Sequence, residues 1–134
     1  MNAAAATTEI IVLGWSVALL LLQIVLQAGT SGDLGNAYLA GPRDDQRESA
    51  NVVSRRLKRA LHNLLETYPA FVALALTLAI TGKAGGLGAT GAWLYLAARV
   101  IYVPLYAFGV PVVRTLVWLA SVVGLVMMLI RLAF

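Results

Sequence analysis

Arg59, Asn63 and Glu66 are spaced i, i+4, i+7, and Arg56 precedes Arg59 by three. On a helix that spacing is one stripe carrying two guanidiniums, an amide and a carboxylate. Tyr95, Arg99, Tyr102 and Tyr106 step by four, three and four and form a second stripe, while Arg114 and Trp118 share a face in a third segment. Charged groups inside apolar segments are costly, so they face a bundle interior or a cavity. A single pair, Glu66 with Arg99 or Arg114, would be structural glue. Two such Arg against one Glu, with Arg59 adding to the excess, leave a positive surplus suited to a carboxylate or a thiolate. Glu66 is suited to an ammonium. The pattern therefore fits a zwitterionic ligand. His62 stands beside the stripe, placed to meet headgroups or Glu66 rather than to act as a catalytic base.

The elements that must position these residues are strongly apolar. The chain has 134 residues, of which 60% are hydrophobic and 12% charged, and its mean hydropathy is +0.84. A water-soluble chain of this length could not hide that much apolar surface. The net charge of +4 flanks membrane-grade segments, where it orients a membrane protein and does not indicate nucleic acid. With no cysteine and one histidine, the chain lacks a thiolate nucleophile and the usual zinc constellations, so no metal is expected. No GxGxxG fingerprint, P-loop or GxSxG elbow occurs in a suitable context.

Four apolar segments are each close to the roughly 20 residues that span a bilayer. They predict an all-α, four-transmembrane-helix bundle in a single domain, 1–134, with helices at about 8–28, 51–82, 87–108 and 111–132 and a polar loop at 29–50. The first segment lacks a basic leader and reads as a retained anchor. Pro69 and Pro104 free the carbonyls of Leu65 and Val100, which predicts kinks. Arg43, Arg47, Arg55, Arg56, Lys58 and Arg59 lie on one side of the bilayer, against Lys83 and Arg131 on the other. Six against two puts loop 29–50 in the cytoplasm and both termini outside. On this topology the second segment's start, the third's end and the fourth's start share one side. Arg114 then lies about 5 Å into its span and Arg99 about 14 Å below the end of its own. Two other classes of protein compete with a ligand site. A small transporter subunit would need a carboxylate within the first span, where only Glu9 stands, near its end. A non-catalytic membrane scaffold would simply pair Arg99 with Glu66 and have no cavity.

The stretch RALHNLLETYPAF, residues 59–71, resembles the signature of the MAPEG family, the membrane-associated proteins in eicosanoid and glutathione metabolism. AGPRDD (40–45) resembles the motif of that family's first cytoplasmic loop, in the form of its prokaryotic branch. RVIYVPLY (99–106) and VVRTLVW (112–118) resemble the third helix and the start of the fourth. The resemblance implies a homotrimer in a bacterial inner membrane, with glutathione as co-substrate between subunits near the cytoplasmic side. It implies a glutathione transferase or peroxidase acting on lipophilic electrophiles. Arg59, His62, Asn63, Glu66, Arg99, Tyr102, Tyr106 and Arg114 would bind glutathione, with Glu66 meeting its amine. Arg114, with Thr115 and Tyr106, would stabilise the thiolate. His62 stands where glutathione-using members often carry Arg, and the Tyr106–Arg114 interval is one residue shorter than in the prostaglandin synthase branch. Both features argue against prostaglandin or leukotriene chemistry.

Overall fold

The computed structural model describes residues 6–134, so residues 1–5 of the expected unit lie outside the described residues. The described residues are helical throughout their apolar runs: α1 (Thr8–Thr30), α2 (Asn36–Ala40), α3 (Val52–Ile80), α4 (Leu87–Ala107) and α5 (Pro111–Ala133), with a 3-10 turn at Gly32–Leu34. Thr7 caps α1 by accepting the Ile10 N–H, and Asn51 caps α3 by accepting that of Val53. Pro111 opens α5, where its missing N–H costs nothing. Pro69 and Pro104 lie inside α3 and α4, which continue through them.

α1, α3 and α5 are long and apolar enough to cross a membrane. α4 has 21 residues, but its Gly, Tyr and Arg99 leave it without a stretch as apolar as those of the other three. Large side chains such as Trp15, Val25, Ile80, Phe108 and Val112 are exposed around the bundle. Surface of this kind is expected against lipid, where a soluble protein would not tolerate it. Family of segments and exposed surface together make this an integral membrane protein. At 29 residues, α3 is roughly 44 Å long, against about 30 Å for the hydrocarbon core. About nine residues of it must therefore project, and its first nine carry Arg55, Arg56, Lys58 and Arg59.

α3 and α4 form the inner pair. Each packs against all the other long helices, whereas α1 and α5 make no close backbone approach to one another among the described residues. Phe71 and Tyr95 stack at 4.3 Å between ring centroids, within a core that includes Val12, Leu64, Leu78 and Met128. A few hydroxyls cross this core in pairs: Tyr68 with Ser16 and Tyr95 with Thr67, both at 3.0 Å. Tyrosine hydroxyls buried in this way need such partners. α4 and α5 share the closest interface. A Cβ on Gly91 would come within 2.5 Å of the Gly124 carbonyl oxygen, and one on Gly124 within 2.6 Å of that of Gly91. Small residues let membrane helices approach backbone to backbone.

At the far end of the bundle, buried Glu9 accepts the Gly85 N–H at 2.8 Å through Oε1. Lys83 Nζ donates to the Leu132 carbonyl, and Arg131 Nε donates to that of Lys83. These contacts tie the start of α1 and the end of α5 to the α3–α4 turn.

Candidate functional site

Arg56 fixes the geometry of the basic end. Its Nη1 donates to the Ala107 carbonyl at 3.2 Å, one of the orphan acceptors at the end of α4. Its guanidinium occupies the space a Cβ on Gly109 would need, 2.9 Å away, and Gly109 has φ of +72°. Only glycine suits both conditions. The start of α3, the end of α4 and the start of α5 are thus held together, as the antiparallel layout requires.

Between these ends lies a cavity of about 500 Å³. α3 contributes Arg59, His62, Asn63 and Glu66; α4 contributes Tyr102 and Tyr106; α5 contributes Arg114, Thr115 and Trp118. Tyr106 is its hub. The Arg114 guanidinium carbon lies 4.3 Å from the Tyr106 ring centroid. Arg59 Nε donates to the Tyr106 hydroxyl at 3.2 Å. Tyr102 meets Tyr106 edge-on at 5.6 Å. A ring face attracts a cation without consuming its N–H donors, so Arg114 keeps its donors for another partner. The Thr115 hydroxyl turns back to the Pro111 carbonyl at 3.2 Å, leaving Arg114 as the strong donor at this position.

Arg99 is placed differently from the other candidates. It is 1% exposed and stands behind the cavity wall rather than on it. Its Nη1 donates to Asn63 Oδ1 at 2.7 Å, and its guanidinium carbon lies 4.3 Å from the Tyr102 ring centroid. Nε and Nη2 of Arg99 are buried without a partner. Arg99 therefore fixes the orientation of two residues that do line the cavity.

Glu66 and Arg114 also differ from the simplest expectation of fully buried charges. Glu66 is exposed and Arg114 half-buried, because the cavity opens to the outside of the bundle. Glu66 forms no ion pair; among the described residues the one ion pair is Arg47–Asp45, at 3.1 Å. The pairing that a scaffold would need between Glu66 and Arg99 or Arg114 is not made. Nor does His62 hydrogen-bond Glu66 among the described residues. Arg56, read as part of the stripe, faces the α4–α5 turn instead of the cavity.

Trp118 is the wall residue whose role the sequence understated. Its indole Nε1 is buried without a partner, a donor beside the charged and aromatic side chains of the lining. Its i+4 spacing from Arg114 was the available signal. Gln23, fully buried on α1 with both amide atoms unpartnered, had no signal at all.

The family model of the MAPEG family matches residues 12–134. No curated protein and no solved structure matches the chain.

Proposed function

The chain belongs to the MAPEG family, and we propose that it binds glutathione in the α3–α4–α5 cavity and acts as a glutathione transferase or peroxidase on lipophilic electrophiles. Membership carries a membrane-bound, glutathione-related function in general. The observation that supports the specific reading is the juxtaposition of Arg59 and Arg114 on Tyr106, with Glu66 unpaired on the same wall. Glutathione offers two carboxylates, one ammonium and one thiol, and this wall offers guanidiniums and one carboxylate. A cavity of about 500 Å³ falls in the usual range for small-molecule sites.

Glutathione supplies the thiol, since the chain has no cysteine. Arg114 lies beside an aromatic ring on the cavity wall, and a guanidinium beside a thiol favours its thiolate. Arg59 is placed for a carboxylate, and Glu66 for the ammonium. Tyr106 accepts from Arg59, which leaves its own O–H free to donate to the ligand. Arg99 is a positioning residue in this scheme, holding Asn63 and Tyr102 in place. The opening on the subunit flank suits a site completed by a second copy, as in a trimer of four-span subunits. The basic end would face the cytoplasm of a bacterial inner membrane.

The test is turnover by the purified, detergent-solubilised protein with glutathione and either chlorodinitrobenzene or an organic hydroperoxide. Glutathione-dependent conversion of one acceptor, lost in Arg114→Leu, is expected. Absence of conversion with both acceptors contradicts the catalytic reading.

A further inference from the structure

A second cavity, of about 730 Å³, lies at the same end of the bundle, between the segment 31–49 and the projecting turns of α3. The proposed glutathione chemistry does not use it. Arg55, Lys58, Arg59 and His62, spaced i, i+3, i+4, i+7, present one α3 face to it, and Arg43 and Arg47 reach it from the segment above. Glu48 is the one carboxylate on its lining. The cations are not neutralised locally. Arg43 donates to the Leu39 carbonyl, Arg55 to that of Ser49, and Arg59 to the Tyr106 hydroxyl. Lys58 has no hydrogen bond or ion pair among the described residues. Of the five, Arg47 alone meets a carboxylate, that of exposed Asp45.

The position matters as much as the charge. Arg55, Lys58 and Arg59 of this face belong to the part of α3 that outreaches the hydrocarbon core, so the cavity lies at headgroup depth. Basic pockets at that depth take anionic lipid headgroups. Leu34 and Leu39 on its lining give an apolar side beside the cations. Arg59 and His62 line both cavities, so they form a shared wall between this vestibule and the first cavity.

We propose that the vestibule is a phosphate-binding site, recognising the phosphodiester of an anionic phospholipid headgroup or a free phosphate through Arg55, Lys58 and Arg59. Its occupant stands directly behind Arg59 and so bears on the first cavity. The assignment goes beyond the glutathione reading and is measured without glutathione.

The experiment uses the full-length protein in nanodiscs of phosphatidylcholine, with and without phosphatidylglycerol, and titrates inorganic phosphate into the phosphatidylcholine discs. Thermal unfolding is the readout. A higher midpoint with phosphatidylglycerol alone assigns the site to a headgroup; a phosphate-dependent rise in phosphatidylcholine assigns it to free phosphate. Either shift should be lost or much reduced in Lys58→Gln, whose exposed side chain tethers nothing, with apparent affinity about fivefold weaker. Arg55→Gln should act in the same direction. Lys83→Gln, at the far end, should keep the full shift. Midpoints that respond to neither lipid nor phosphate overturn the proposal. So does a shift that survives in Lys58→Gln, or one that Lys83→Gln removes equally, since either would reflect overall charge.

Discussion

Arg114 and Glu66 act on the same wall through opposite charges, so their loss should be felt differently. Arg114 rests on the Tyr106 ring and forms no ion pair among the described residues. Arg114→Leu should therefore leave thermal stability nearly unchanged in the absence of ligand. Ultraviolet absorbance on adding glutathione should show no thiolate. Glu66→Gln should preserve thiolate formation at saturation but weaken binding at least tenfold, because truncating one partner of a charge contact that the bound ligand desolvates costs about 2–5 kcal/mol. Calorimetric titration of the variant checks this. A drop in ligand-free stability in both variants, with no change in ligand response, would favour the scaffold. Helical spacing made most of this wall legible, since Arg59, Asn63 and Glu66 do share a face and the α4 and α5 residues do converge on it. Periodicity states direction but not depth. It could not separate Arg99, sealed behind Asn63, from Tyr106 on the surface of the cavity, nor show that Glu66 is exposed.

At the scale of elements, two contacts are open to direct test. Gly91 and Gly124 let α4 and α5 meet backbone to backbone. Gly124→Ala would place a methyl against a carbonyl oxygen and the Tyr95 backbone, neither of which can move aside cheaply. Overpacking of this kind costs about 1–3 kcal/mol, so thermal unfolding should show a clear loss. Gly14→Ala, with nothing within 4 Å, should show none. The second contact closes the segment between α1 and α3. The Asp33 carboxylate accepts the Ser49 hydroxyl and the Ala50 N–H. These bonds, with Ser49 first, hold its carboxyl below the ordinary aspartate range. A depressed carboxyl contributes stability in its ionised form. The tether is thus complete above about pH 4 and is lost as pH falls through the folded-state value. Asp33→Ala should open the segment at neutral pH, seen as faster tryptic cleavage after Arg43 or Arg47, with no change in the wild type down to mildly acidic pH. The long helices were legible because each carries a long apolar run ended by Gly, Pro or charge. The turn at Gly32–Leu34 and the five-residue α2 were not, being too short to show a helical period. The vestibule they roof was hidden for the same reason.

For the whole molecule, apolar surface around the bundle and a polar cavity opening on its flank raise the same question of what covers each. Lipid suffices for Trp15, Val25 and Ile80, but not for Glu66 beside Arg59, since charges facing hydrocarbon are strongly disfavoured. A second copy of the chain would cover that flank, and the detergent-corrected mass of the purified protein should equal three subunits. A mass of one subunit would leave the cavity open and count against a shared site. Glutathione binding in this cavity, with ionisation of its thiol, is read by the ultraviolet difference spectrum of the wild-type protein titrated with glutathione at neutral pH. A saturable thiolate band that appears at up to millimolar ligand, and is absent with the S-methylated tripeptide, is the expected result. A spectrum that stays flat through millimolar glutathione contradicts the claim.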